Sequence, residues 1–482
     1  MKEISVSQLL DISIALSSEK DGDLLLENIL TTAMDWTDCD GGSLYIFKEN
    51  FLHFELMITR SSGILKGGKH EPITLPPVPI TRANVCACAV LDRSLINVAN
   101  IYDSKFYDFS GLRRYDELTG YHTQSMLVVP MENDKSEIIG VLQLINALDA
   151  DGNTVPFPAE SERLLMALTS LAAISLTNMN YAIEVRELLD SLVGGLSTAI
   201  DARTPYNVNH TRNMAQNAAR FLDWLDTADR GWQMTEAEKR QFLLSVRLHD
   251  VGKLTMPLEV MDKESRLGAV GLERVCNRLR SIALLERLRA LEEGRDPSEV
   301  LEQLEQARAL VESINVVGFL QDEKLAEVEE LAARRYVDEY GETQPWLTQE
   351  EIQSLSVRKG TLTQEERKIM EQHVSMTTRI LSEVKFHGEY SFVPKWAGEH
   401  HEFLNGTGYP KGLKGDEISR ETRLLTILDV FDALTARDRP YKPPLPLDKA
   451  LGILHNMVRD GQLDGEILEM FEESRAWEDI SD

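Results

Sequence analysis

Seven residues narrow what this chain can build: Arg247-Leu248-His249-Asp250-Val251-Gly252-Lys253. Ahead of them Phe242, Leu243 and Val246 recur at helical spacing, so the stretch reads as the end of an amphipathic helix. An imidazole, a carboxylate and an ammonium then fall within one helical turn, with Lys253 on the face of His249 and Asp250. Imidazole and carboxylate suit a transition metal, and a neighbouring lysine suits an anionic substrate. An adjacent His-Asp pair is common by itself. What gives this one weight is the rest of the chain.

The 482 residues are enough for about two to four domains, and 43% hydrophobic residues can fill ordinary cores. No run of about 18 apolar residues is present, so no membrane span is expected. The first ten residues, Met1 to Leu10, lack a signal-peptide core. Cys39, Cys86, Cys88 and Cys276 are few for this length and fit a reducing, cytoplasmic setting. Cys86-Ala-Cys88 has no second Cys or His pair nearby, so it reads as buried small residues rather than a metal clip. The formal net charge of -28 argues against nucleic-acid binding. Any anionic substrate must be drawn in by a local positive site, most simply a metal cluster.

The N-terminal third changes pattern once. Residues from about 5 to 35 carry helical spacing (Leu9, Leu10, Ile12, then Leu24, Leu25, Ile29, Leu30). Residues 43–47 and 52–58 are strand-like runs divided by Lys48-Glu-Asn50, a hairpin signal. Gly63 to Pro79 reads as loop, with further strands expected at 94–98, 125–130 and 138–146. This order implies an α+β domain with an antiparallel sheet. From Ser161 to about Ile200, Leu164, Leu168, Leu171, Ser175, Asn178, Ala182, Val185, Leu189, Leu192 and Leu196 alternate by four and three. That is heptad spacing over about four to five heptads. It predicts a parallel coiled coil joining two protomers, the alternative being one helix packed on its own domain.

The remainder reads as helices that carry metal-ligand chemistry. Pro205 should open a helix with His210 near its start. Thr363 and Glu366 form a capping box for a helix whose apolar stripe contains His373. Trp396-Ala-Gly-Glu-His-His-Glu402 reads as helical, closed by Asn405-Gly406, and presents His400 and His401. Asp429 is embedded among Leu425, Ile427, Leu428, Val430 and Phe431, where a carboxylate is costly unless paired or bound to a cation. The alternative puts Asp429 and Asp432, one turn apart, on an exposed face. His210, His249, His373, His400 and His401 with Asp250 and Asp429 suit two metal ions with N and O ligands, such as iron, manganese or zinc. Two such ions can share a bridging carboxylate and a bridging hydroxide.

Two family resemblances follow. Gly120-Tyr-His-Thr-Gln-Ser-Met-Leu-Val-Val-Pro-Met131 followed by Gly140-Val-Leu-Gln-Leu-Ile-Asn146 resembles a GAF domain of the kind found in cyclic-nucleotide phosphodiesterases, over about residues 5 to 180. The resemblance implies a sensor or dimerisation module. Asn146, Phe157 and Glu160 match only loosely the pattern that accompanies cyclic-nucleotide binding, and ligand-pocket residues would come from Cys86 to Gln124.

His-Asp-Val-Gly-Lys, His-His-Glu, Gly-Thr-Gly-Tyr-Pro and Asp-Val-Phe-Asp-Ala-Leu…Arg439-Pro-Tyr441 occur in an order that resembles the HD-GYP subfamily of HD-domain phosphodiesterases, over about residues 195 to 470. The resemblance implies an all-α domain that opens cyclic di-GMP to pGpG or GMP, by attack of a metal-bridging hydroxide. Carried over by position, one metal takes His210, His249 and Asp429, Asp250 bridges, and His373, His400 and His401 take the other. Asp250 and Lys253 are then the catalytic candidates. Lys253, Tyr409 and Arg439 are the substrate-binding ones. The metals are two divalent transition ions, iron or manganese before others.

The chain departs from that pattern in three places. Tyr206 stands four residues before His210, where trinuclear relatives carry Glu, so two metals are expected. Asn213 replaces a frequent Arg. An insert, residues 264–359, separates segments that are normally near neighbours and reads as an arm of two or three helices. It could be a lid, a dimer contact, a surface for a signalling partner, or a passive decoration.

The expected organisation is an α+β GAF sensor domain at 1–160, a long linking helix at 161–197, and an all-α HD-GYP domain at 198–482 with its helical insert. The expected molecule is a cytoplasmic homodimeric hydrolase with no nucleic-acid or membrane partner and room for a small-molecule GAF ligand. The alternatives are a phosphodiesterase for another cyclic nucleotide such as cyclic GMP-AMP, an inactive metal-fold binding module, and an interaction scaffold acting through the insert and the Tyr409 loop.

Overall fold

A computed structural model describes residues 6–19, 21–203, 209–436 and 444–478. The chain divides into two compact units, Met1–Leu189 and Asp190–Asp482.

The first unit opens with helices α1 (Val6–Ser18) and α2 (Gly22–Thr37). Asp21 caps α2 by accepting from the amides of Asp23 and Leu24. Strands β1 (Cys39–Lys48), β2 (Phe51–Thr59), β3 (Ile64–Gly67) and β4 (Val78–Pro79) follow, then α3 (Val85–Asp92), β5 (Ile96–Val98), α4 (Ser110–Thr119), β6 (Met126–Glu132), β7 (Ile138–Leu148) and β8 (Thr154–Val155). The sheet runs β3-β2-β1-β7-β6-β5, with β4 on β2 and β8 on β7. The recorded pairings are antiparallel, so the expected α+β class holds. The Gly63 to Pro79 stretch is not all loop: it carries β3 and β4, because Leu56 to Thr59 of β2 extend far enough to pair with Ile64 to Gly67.

Alternation along β6 sorts the two faces of this sheet. Leu127, Val129 and Met131 join a core with α2 and the start of the next helix. Met126 and Val128 face a second core with Val85, Cys86 and Phe109. Cys86 and Cys88 are buried and reduced, as the sequence suggested. Asn146 sits at positive φ, donates from Nδ2 to the carbonyl of His122 and accepts from the amide of Gln124. Phe157 is core.

Helix α5 (Ala159–Asp201) is a single run of 43 residues. The expected heptad seam splits along it. Leu168 is buried in the first unit's core and Leu164 and Leu171 pack against it. Val185, Leu192 and Leu196 are exposed. The N-terminal half therefore packs on its own domain.

The second unit is largely helical. Its helices are α6 (His210–Thr227), α7 (Glu236–Leu248), α8 (Leu258–Met261), α9 (Gly268–Glu293), α10 (Ser298–Ile314), α11 (Asp322–Ala333), α12 (Gln349–Leu355), α13 (Gln364–Glu383), α14 (Val393–Gly398), α15 (Arg420–Thr435), α16 (Leu447–Arg459) and α17 (Gly465–Ser474). The predicted capping box at Thr363 and Glu366 starts α13. Phe221, Phe242, Trp396, Leu425, Leu428 and Phe471 anchor the main core. The insert has a core of its own around Val275, Ile282, Val311, Val328 and Leu355. It holds four helices, α9 to α12, and a two-stranded ribbon of β9 (Arg335–Val337) and β10 (Thr343–Pro345), more than the two or three helices expected. Helices α9 to α11 start without side-chain caps, so these charged Leu-rich segments blur into one another in sequence. Arg266 closes the root of the insert. Fully buried, it donates to the carbonyls of Ile314, Val316, Val357 and Gly318.

Candidate metal centre

Helix α13 is the wall on which the site is assembled, and two glycines let the neighbouring turns approach it. A Cβ on Gly252 would lie 1.9 Å from the carbonyl oxygen of His373, so only glycine lets the turn after His249-Asp250 press onto α13. A Cβ on Gly398 would meet Thr378 Oγ1 at 2.1 Å, where α14 meets the same helix. Thr377, one turn beyond His373, ties the contact down. Its hydroxyl donates to the carbonyl of His249 and accepts from the amide of Gly252.

The expected helical setting of His400 and His401 is wrong in detail. Helix α14 ends at Gly398, and both histidines lie in the turn that follows. Glu402 holds that turn open by accepting from the amides of Lys411 and Leu413. Gly408 packs against backbone of the same turn, and the amide of Tyr409 donates to the carbonyl of His401. Pro205, expected to open the His210 helix, lies outside the described residues, and α6 begins at His210; His249 follows α7, His373 is within α13 and Asp429 within α15.

Three histidines share one device. Nδ1 of His249, His373 and His400 lies 2.7, 2.6 and 2.7 Å from the carbonyl three residues earlier. A carbonyl only accepts, so each Nδ1 carries the proton and each Nε2 presents a lone pair. His210 uses a carboxylate for the same purpose, with Nδ1 2.6 Å from Asp432 Oδ2. The four Nε2 atoms then converge on Asp250. Oδ2 of Asp250 lies 3.1 Å from His249 Nε2 and 3.6 Å from His210 Nε2. Its Oδ1 lies 3.5 Å from His373 Nε2 and 4.0 Å from His400 Nε2. Asp429 faces His210 at 3.4 Å through Oδ1 and His401 at 3.6 Å through Oδ2.

The arrangement is built for cations. Asp250 Oδ1, His373 Nε2 and His400 Nε2 are buried and have no hydrogen-bond partner among the described residues. Buried polar atoms are seldom left so. His210 Nε2 and His249 Nε2 face each other at 3.3 Å with both Nδ1 protons already committed. Two lone pairs at that distance need a proton or a metal between them. His373-His400-His401, His210-His249-Asp429 and His249-Asp250-His400 each bring ligand atoms within 4.8 Å of one another. The donor set, imidazole and carboxylate without thiolate, suits a divalent transition metal.

Protonation follows the same logic. Burial pushes the His373 pKa down, that of His400 well down, and that of His401 to about 4, so all three are neutral at neutral pH. At His210 burial opposes charge, but the carboxylates of Asp250, Asp429 and Asp432 outweigh it and hold its pKa well above the usual histidine value. For Asp250 burial again opposes charge, and His249 and Lys253 hold the carboxyl well below the usual range.

Lys253 Nζ is 2.5 Å from Asp250 Oδ2 and partly exposed, so its charge lies at the edge of the cluster. The Tyr409 ring stands 4.9 Å from that of His401. Arg439 and Tyr206 lie outside the described residues. Asp432, offered in sequence as an exposed alternative, is buried. Its position one turn after Asp429 was the available signal. Thr426 carried no signal in sequence. Thr426 donates to the carbonyl of His400.

Comparison with known proteins gives matches to parts of the chain. Residues 21–176 match the GAF domain family and residues 302–467 match the HD domain family. The HD match takes in His373, His400, His401 and Asp429 and leaves His210, His249 and Asp250 upstream. The chain is similar to 3'3'-cGAMP-specific phosphodiesterase 3 of Vibrio cholerae, 44% identical over 95 residues covering 20% of each protein. It is also similar to the cyclic di-GMP phosphodiesterase of Thermotoga maritima, 39% identical over 99 residues, 20% of this chain and 25% of that one. The matches thus span a quarter or less of the length of these two relatives. Among solved structures, the GAF domain of an Acinetobacter phosphoenolpyruvate-protein phosphotransferase aligns with 38% of this chain and 97% of its own, at 17% identity and a TM-score of 0.29.

Proposed function

For a chain that joins a GAF domain to an HD domain, we propose a phosphodiesterase that hydrolyses cyclic di-GMP to pGpG or GMP at a binuclear centre of iron or manganese, regulated by its GAF domain. The observation that carries this reading is Asp250. Its two carboxylate oxygens face two separate histidine pairs: Nε2 of His373 and His400 has no hydrogen-bond partner among the described residues, and Nε2 of His210 and His249 face each other. His210, His249 and Asp429 would hold one ion, His373, His400 and His401 the other, and Asp250 both. Bound there, divalent metals supply Lewis acidity toward phosphoryl oxygens and a water acidic enough to attack at neutral pH.

The chain's own residues do the rest. The Nδ1 hydrogen bonds of His249, His373 and His400 orient the ligand atoms before any ion arrives. Lys253, paired with Asp250 and reaching outward, stabilises charge that develops on phosphate. Tyr409, held over His401 by its backbone bond, offers a ring for a guanine base to stack on. Arg439 follows the Asp429 helix in sequence and is a further substrate contact. The proposed domain limits are 1–160, 161–197 and 198–482, with a homodimer formed through the exposed half of α5.

A second reading keeps the chemistry and changes the substrate. The match to a cGAMP-specific enzyme is the stronger of the two reported in identity, so cyclic GMP-AMP is the alternative.

The test is turnover of both cyclic dinucleotides by anaerobically purified protein loaded with iron or manganese, beside Asp250→Ala. Turnover of cyclic di-GMP that the substitution abolishes supports the first reading, and turnover of cyclic GMP-AMP alone supports the second. Two bound metals without either turnover would point to another phosphodiester. No metal and no turnover would leave a binding module.

A further inference from the structure

Two metal-ligand elements are tied at one end by the same helix. Helix α6 starts at His210, and its N-cap Asn209 makes no side-chain capping bond. Helix α7 ends at Leu248, where the carbonyl of Val246 meets Nδ1 of His249 and that of Arg247 accepts from another helix. Both ends are tied by the last two turns of α5. Ser197 Oγ donates to the carbonyl of Arg247 at 3.0 Å, two residues before His249. Asp201 Oδ1 accepts from Thr211 Oγ1 at 2.9 Å, one residue after His210. Ser197, Asp201, Val193 and Ile200 form the buried face of this end of α5. The Asp201 carboxylate also places negative charge at the N-terminus of α6, where the helix dipole favours it.

We infer that Ser197 and Asp201 are positioning residues for one half of the metal centre, the half built from His210, His249 and Asp429, through which any movement of α5 reaches the site. The inference rests on the metal-centre reading above. It is selective by geometry. His373, His400 and His401 hang on α13 and the turn after α14, where Thr426 secures the His400 carbonyl. Among the described residues, neither Ser197 nor Asp201 bonds those elements. A shift of the α5 end therefore acts on His210 and on the end of α7 before His249, against the tie that Thr377 of α13 makes to the His249 turn.

The test is manganese titration of the metal-stripped full chain, read by electron paramagnetic resonance and elemental analysis. The wild type is expected to take up two ions. Ser197→Ala with Asp201→Ala should bind one ion as the wild type does and the other about tenfold more weakly, the usual cost of losing an outer ligand support. Ser197→Thr with Asp201→Asn keeps a hydroxyl donor and an acceptor for Thr211, so it should restore the weakened ion. Thr426→Val should weaken the opposite ion. Equal weakening of both ions in the Ala pair, or no weakening, overturns the inference and leaves the metal centre standing. A wild-type chain that takes up no manganese overturns the metal-centre reading and this inference with it.

Discussion

His210 Nδ1 lies 2.6 Å from Asp432 Oδ2, and both side chains are buried. This carboxylate fixes the ring so that Nε2 faces Asp250 and Asp429. Asp432→Asn keeps the shape and loses the charge. It should reduce metal affinity roughly 10- to 100-fold with the fold intact. Manganese competition against a chelator, alongside circular dichroism, measures both.

Gly252 has no space for a side chain, since a Cβ would sit 1.9 Å from His373 O and 2.6 Å from Thr377 N. Both neighbours are backbone of α13 and cannot rotate away. Gly252→Ala should cost about 1–3 kcal/mol or more and pull the His249 turn away from His373. Thermal unfolding with and without manganese reads the two effects separately. The variant should melt lower and lose the gain that metal provides.

Alkaline pH should weaken the first unit. Burial pushes the Cys39 and Cys86 thiols up to about 12 from an ordinary value of 9.0, and holds the Tyr45 hydroxyl well above its usual range. A raised folded-state pKa means that the native state keeps protons the unfolded chain releases. Stability from these thiols is therefore whole below pH 9 and is lost as pH rises from 9 toward 12, each by up to about 4 kcal/mol. Urea midpoints of the full chain across this window should fall. Iodoacetamide at pH 9 should label Cys39 and Cys86 only after unfolding.

Arg266 satisfies four backbone carbonyls at the root of the insert. Arg266→Ala leaves those buried acceptors without a donor, at about 3 kcal/mol in total or more. The expected outcome is faster proteolysis within residues 268–355 while the core around Phe242 and Phe471 stays protected. Uniform cleavage across the second unit would contradict this local role.

Much of the molecule follows from local pattern. Period-two runs and the Lys48-Glu-Asn50 turn specify the β1–β2 hairpin, and Thr363 with Glu366 specifies the start of α13. The residue types of the candidate metal centre are legible too, because imidazole and carboxylate on apolar faces need a partner wherever they are buried. What sequence alone could not decide is set by contacts between distant segments. The same heptad spacing describes Leu168 and Leu192, yet one is buried and the other exposed, since only packing against a sheet tells them apart. Asp432 looks like its neighbour Asp429 until α6 brings His210 against it across 222 residues of chain. Thr377 and Thr426 are ordinary helix residues until a turn from elsewhere lays a carbonyl on each. A histidine's identity can be read from the chain, but which of its nitrogens keeps the proton is settled only by the group that tertiary structure places against the other.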